Sequence, residues 1–248
     1  MKLVQMDLNQ YQQLFQLYEH SIPIIYSAIE GQYPCHFYVD DLDHPNFGLL
    51  FTQFDFNYFG YINLDMVDKI EIQKTIREHI IEFEIKECIM FVPTEESEQI
   101  IQSIFESFYG VVDVRYSFKL DFEQFTALAK QVVTDNVHLE YCKDDHALIE
   151  FPKCELFIDH MLISFAKAFM LGKSNAEIDV FTDENHRRKG YAKLCSIKLI
   201  SNLLNHKIIP NWTAWEHKES SHQLANQLGF KLDKKINAFV WVDEFGEL

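Results

Sequence analysis

The sequence is short of positive charge. Its 248 residues carry 22 Lys plus Arg against 38 Asp plus Glu, a formal net charge of −16. A surface of that sign repels phosphate backbones, which argues against general nucleic-acid binding. It suits a cationic or amine-bearing substrate, although solubility alone is the commoner reason for such a surface. No uncharged apolar run reaches the roughly 18 residues that a membrane span needs. The opening MKLVQMDLNQYQQLF turns polar within a few residues and does not read as a signal peptide. Cysteine is sparse: Cys35, Cys88, Cys142, Cys154 and Cys195, with no CxxC pair among them. The odd count and scattered spacing exclude a disulfide framework and a zinc cluster, and the expected location is the reducing cytoplasm. Two phosphate-binding signatures are also missing, the GxxxxGK[ST] loop and the GxGxxG fingerprint.

What the chain does have is apolar material and a regular order of elements. Hydrophobic residues make up 48% and aromatics 15%, with 22 Phe, which is ample for a core. LNQYQQLFQLYEH places Leu8, Tyr11, Leu14, Phe15, Leu17 and Tyr18 mostly on one helical face. IPIIYSAIEG predicts a short helix stopped by Gly31. CHFYVD, FGLLFTQF and NYFGYIN read as strands, MVDKIEIQKTIREHIIEFEI as a long helix, and CIMFVP as a buried strand. TEESEQIIQSIFESFYG is a helix capped at Thr94, and VVDVRYSFKL alternates as a strand. The order then repeats. FEQFTALAKQV is helical, HALIEF and MLISFAKAFM are strands, GKSN is a turn and AEIDVFT is a strand. A helix follows with Leu194, Ile197, Ile200 and Leu204 along one face. IIPNWTAW, SSHQLANQLGF and KINAFVWV close the chain as strand, helix and strand. The expectation is an α/β (α+β) chain of two similar halves, residues 1–121 and 122–248, with no Pro or Gly cluster between them.

Against this acidic background, FTDENHRRKGYAKLCSIKLI sets three consecutive cations, Arg187, Arg188 and Lys189, before Gly190 and a helix. The preceding strand alternates, with Ile178, Val180 and Thr182 on one side and Glu177, Asp179 and Phe181 on the other. A helix start offers unpaired N–H groups and the positive end of the helix dipole. Glycine lets a ligand approach the backbone. Strand, cationic turn, glycine and helix start together make a phosphate or pyrophosphate site.

The pattern Arg187-x-x-Gly190-x-Ala192 resembles the [RQ]-x-x-G-x-[GA] loop of the GNAT acetyltransferase superfamily. Its context fits as well. A strand precedes the loop, a long helix follows, and some thirty residues on come a strand and a short helix ending in Leu228-Gly229-Phe230. Over most of its length the chain is similar to the GNAT family that includes the zwittermicin A resistance acetyltransferase. IEGQYPCHFYVDD and HPNFGLLF carry the likeness in the first half, LISFAKAF, AEIDVFTDENHRRKGYAKL and PNWTA in the second. Members pair a degenerate N-terminal half with an active C-terminal one. The first half here has no Arg-x-x-Gly-x-Ala loop, which implies lost cofactor binding.

The resemblance implies acetyl-CoA held in a gap between the parted strands Ala176–Thr182 and Ile208–Trp215, with direct attack by an amine. Cofactor contacts would come from Val180, Thr182, Arg187, Arg188, Lys189, Gly190, Tyr191, Ala192 and Ser221. Glu177 and Asp179 are candidates for the general base, and are equally read as structural carboxylates. Many members place a Tyr acid where this chain has Ala225. His217 and His222 are nearby substitutes or plain surface residues. Ser221 reads as an N-cap or a cofactor contact. Trp212 and Trp215 read as core or as walls of the acceptor site, and Cys195 as packing. The expected partner is a small-molecule amine, with no metal, nucleic acid or membrane; monomer and homodimer stay open. The alternative is a catalytically inactive GNAT-fold protein that binds or senses acetyl-CoA.

Overall fold

The computed structural model describes residues 1–5, 7–143 and 147–243. The chain divides into two compact units, Met1–Val114 with Ile236–Leu248, and Arg115–Lys235. This corrects the expected division at 121/122. The final residues return to the first unit because a strand that starts in the second runs on into the first.

The first unit builds a sheet from β1 (Lys2–Leu3), β2 (Cys35–Val39), β3 (Phe47–Thr52), β4 (Phe56–Tyr61) and β5 (Glu87–Phe91). β4 and β5 are parallel and the other pairs antiparallel. A 3-10 helix (Leu8–Phe15) and α1 (Ile22–Ile29) bury Tyr11, Leu14, Phe15, Ile24 and Ile25. The first of these is shorter than the α-helix expected over LNQYQQLFQLYEH. α2 (Lys69–Glu82) starts at Asp68, whose carboxylate accepts from the Ile70 and Glu71 N–H groups at 2.9 and 3.2 Å. It buries Ile72, Ile76 and Ile80 at a four-residue spacing. α3 (Glu95–Ser107) begins with a Thr94–Ser97 capping box. Its Ile101, Ile104 and Phe105 join Leu49, Phe51, Phe59 and Met90 in the core, each fully buried aliphatic side chain contributing about 1.5–3 kcal/mol.

The second unit orders its strands β6-β11-β10-β9-β8-β7, where β6 is Val111–Leu120, β7 His138–Cys142, β8 Phe151–Ile158, β9 Met161–Gly172, β10 Asn175–Thr182 and β11 Ile209–Trp215. The start of β12 (Phe230–Val242) lies beside β6. The end of β12 is antiparallel to β5 in the first unit's sheet. Helices α4 (Phe122–Ala129), α5 (Tyr191–Asn205) and α6 (Glu219–Gln227) complete it. HALIEF is not a strand: Ala147–Glu150 are irregular, His146 lies outside the described residues, and the strand begins at Phe151. The sequence does not show most of β8 because Pro152 and the charged Lys153 and Glu155 interrupt its apolar pattern, nor β7, whose five residues are too short a run of alternation to read.

α5 packs with Cys195, Ser196, Ile197, Leu199, Ile200 and Leu203 buried, while Leu194 and Leu204 are half-exposed. The buried face is thus turned from the expected one. Ser164, Ala166 and Ala168 on β9 are fully buried beneath the helix. Their small side chains allow close approach, and the Cys195 thiol reaches the Ser164 carbonyl at 3.6 Å. No described helix is long and apolar enough to cross a membrane.

Candidate active site

β10 and β11 pair in parallel only through Asn175–Ile209, Ala176–Pro210 and Glu177–Asn211. Past that point they part. Residues 178–182 stay with β9, and Trp212–Trp215 pair instead with Phe118–Arg115 of β6. The β9–β10 register shifts beside the vertex, where Met170 of β9 is the extra residue at φ +54. The Asp183 N–H donates to the Ile163 carbonyl at 2.9 Å, which sets the phase of the ladder. Alternation then turns the N–H and C=O groups of Ile178, Val180 and Thr182 away from β9, toward the gap.

The loop after β10 is fixed by Asp183. Its carboxylate accepts from the Asn185 N–H and meets the His186 ring nitrogen at 2.8 Å, which holds it below the usual carboxylate range. Arg187 is exposed, pairs with Glu184 at 3.3 Å and donates from Nε to the Thr182 carbonyl. Arg188 adopts φ +61, and Lys189 is exposed. Gly190, at φ +85, is the N-cap of α5 and makes no side-chain cap. A Cβ built there meets nothing within 4 Å, so the space before the helix is open. The first helical bond runs from the Leu194 N–H to the Gly190 carbonyl. The amides of Tyr191, Ala192 and Lys193 therefore lack intrahelical partners.

Glu177 sits at the vertex and is only 4% exposed. Its Oε1 accepts from the Thr213 hydroxyl, whose oxygen in turn accepts from Arg115 Nε and Nη2 at 3.0 and 2.6 Å. Because the guanidinium can only donate, the single Thr213 proton is committed to Glu177. The other carboxylate oxygen, Oε2, is buried without a hydrogen-bond partner. Burial pushes the Glu177 carboxyl up; the Arg115 charge and the Thr213 bonds oppose that. Asp179 lies elsewhere, about half exposed, 3.9 Å from Lys167. Of the two candidate carboxylates, then, Glu177 is the one buried at the parted strands. Sequence reasoning missed Arg115 and Thr213, which are 98 residues apart and meet only through the β6–β11 pairing.

Ser221 does not cap α6; Lys218 takes that position, and the Ser221 hydroxyl accepts from the Trp212 indole N–H at 3.1 Å. Trp212 is buried against Phe230, while Trp215 lies half-buried under the Arg115 guanidinium. His222 bonds the Trp215 carbonyl and stacks on Tyr116 at 4.9 Å. His217 is exposed, and Ala225 is fully buried. The Cys195 thiol is pushed up to about 11 by burial, which fits packing rather than reactivity.

Residues 154–239 match the family model of the GNAT acetyltransferases. This segment resembles a GNAT domain. No curated protein matches the chain in sequence. Among solved structures, a GCN5-related N-acetyltransferase-like protein from Streptococcus suis is similar over 95% of this chain and 98% of its own, with a TM-score of 0.66 at 19% identity. A tandem GNAT protein from the clavulanic acid biosynthesis pathway covers 98% of this chain and 96% of its own, with a TM-score of 0.63 at 10% identity. A GNAT-family acetyltransferase from Colwellia psychrerythraea gives 0.57 at 9% identity, over 97% and 98% of the two chains. At such identities the likeness is one of fold, and the fold is tandem GNAT. It does not single out the zwittermicin A resistance type.

Within the tandem, the first unit closes the feature that the second leaves open. The Tyr18 hydroxyl lies between β4 and β5, 2.7 Å from the Phe59 carbonyl and 2.9 Å from that of Phe91. A Cβ on Gly60 would meet the Leu14 carbonyl at 2.7 Å. The start of α2 is filled by Asp68, a carboxylate where a phosphate would need bare amides.

Proposed function

We propose that the second unit transfers an acetyl group from acetyl-CoA to a primary amine of a small molecule, by direct attack and with no covalent enzyme intermediate. The observation that carries this reading is the uncapped start of α5 beside the parted strands, with buried Glu177 at their vertex. The residues present suit acetyl-CoA: open space over Gly190, three free helix amides, and cations at Arg187, Arg188 and Lys189 for a pyrophosphate. Acetyl-CoA, when bound, supplies an acetyl group activated as a thioester. The Val180 N–H is the donor suited to the acyl oxygen, since it faces the gap. Glu177 Oε2 is the acceptor suited to the amine's proton. Arg115 and Thr213 fix Oε1, so that Oε2 is the oxygen left to take it. A carboxyl raised by burial is a better match to that task than a solvated one. Five free thiols support a reducing, cytoplasmic setting, and the net charge of −16 disfavours nucleic acid as the acceptor.

Calorimetric titration of acetyl-CoA, with assay of CoA thiol released over a panel of amines, tests the reading. Binding and amine-dependent release are expected. Gly190→Val should weaken binding by about tenfold or more, because a β-branched residue is strained at φ +85 and its side chain crowds the amides. Absence of acetyl-CoA binding at about millimolar concentration would sink the proposal. One observation favours a second reading, a sensor that binds without turnover: Ala225 is buried where many GNAT members carry a Tyr acid. Binding with no thiol release across the panel would select it.

A further inference from the structure

The first unit holds a cavity of about 230 Å³ at the end of its sheet where β2 begins, β3 ends and β5 begins, beside the last turn of α2. Its wall includes the flat rings of His36, Phe51, Phe54, His79 and Phe83. His79 stacks on Phe51 with centroids 3.9 Å apart and planes 20° apart. His36 stacks on Phe83 at 4.2 Å and 24°. The two imidazoles meet edge-on at 5.3 Å, and the Tyr38 hydroxyl fixes His79 through Nδ1 at 3.3 Å. Each ring is thus held on two sides, which leaves a preformed aromatic wall.

The charges at this cavity are of one sign. Asp55 and Glu87 line it, and no Lys or Arg does. The α2 C-terminus, ending at Phe83, adds the negative end of a helix dipole. Burial holds His79 down to about 4, so its ring is neutral near pH 7 and supplies no counter-charge. Glu87 is raised, first by its own burial and then by the Asp55 charge beside it. Cys35 and Cys88 also line the space, but burial pushes both thiols up to about 12, which removes them as nucleophiles. Among the described residues, no three His, Cys, Asp or Glu are placed to hold a metal ion.

We infer that this cavity is a binding site for a small organic cation with one flat apolar ring, such as an arylalkylamine. The ring packs on the stacked His and Phe faces, and the ammonium faces Asp55 and Glu87. The volume equals roughly seven or eight waters, which suits one ring and a short amine tail. Acids and phosphates are rejected by the same charges. The site lies wholly in the first unit, so it stands independently of the acetyl-transfer reading.

Titration of the full chain with 2-phenylethylamine, followed by calorimetry and by the imidazole proton resonances of His36 and His79, tests this. 2-Phenylethanol is the control, having the same body without charge. The amine is expected to bind about tenfold or more tighter than the alcohol, and to move both histidine resonances with one saturation curve. The double variant Asp55→Asn, Glu87→Gln should weaken the amine by about tenfold and leave the alcohol unchanged. Should the double variant fail to fold, Asp55→Asn alone, at an exposed rim position, carries the same expected direction. Equal binding of amine and alcohol, unmoved histidine resonances, or full affinity in the acid variants would each overturn the inference.

Discussion

Glu177, Thr213 and Arg115 form a chain of hydrogen bonds in which each link has only one workable direction. That gives two residue-level expectations. Glu177→Gln should lower kcat/KM by about 10²–10⁴ while leaving acetyl-CoA affinity within about twofold, since it removes a proton acceptor and no cofactor contact. Equal loss of cofactor binding would place Glu177 in a structural role. The second concerns pH. A base works deprotonated, so kcat/KM falls as pH drops through the folded value of Glu177, which burial raises. Arg115 opposes that rise, so Arg115→Met should move the acid limb to higher pH. An unmoved limb would show that Arg115 does not act on the base. The sequence offered Glu177 and Asp179 as equals, because alternation puts both on one side of β10. What separates them is burial at the strand vertex, together with cross-strand partners that no local pattern reveals. Of the two readings of Ser221, the structure rules out only the N-cap, and for a related reason: its partner, Trp212, lies on another element.

Elements with a strong period were legible. α2, α3, α5 and α6 and the strands β2 to β6 stand where capping residues, glycines and alternation put them. The misses have local causes. β8 has Pro152 as its second residue and carries Lys153 and Glu155, which form an ion pair on one face of the sheet. The face of α5 was misjudged because Cys195 and Ser196 pack inward where small residues are needed over Ser164 and Ala166. The missing cation loop of the first half was a readable absence, but its physical completion was not. Tyr18 reaches two strand carbonyls at once, on residues 41 and 73 positions further along the chain. Tyr18→Phe should cost about 1–2 kcal/mol in urea unfolding, because two buried carbonyls lose a donor. No change in stability would mean that the hydroxyl is dispensable there.

At the scale of the whole molecule, one open cleft and one filled counterpart set the stoichiometry. Calorimetry should find one acetyl-CoA per chain; a value of two would show that Tyr18 and Asp68 yield to the ligand. The net charge of −16 makes a second expectation. If the acidic surface draws cationic acceptors in, kcat/KM for a polyamine should fall as NaCl rises from about 0.05 to 0.5 M, by screening. A flat response would assign the acidity to solubility. The two-part organisation was visible in the repeated element order, but the route of the last strand was not. Phe239 and Trp241 belong to the first unit's core, and Phe239–Val242 pair with Met90–Glu87 of β5. During synthesis the first unit's final strand therefore emerges only after the whole of the second unit. Until it does, β5 has an unpaired edge and the core above it lacks two large rings. A nascent chain can complete its first unit only after the second has been made, and a stop codon just before Phe239 would damage the first unit.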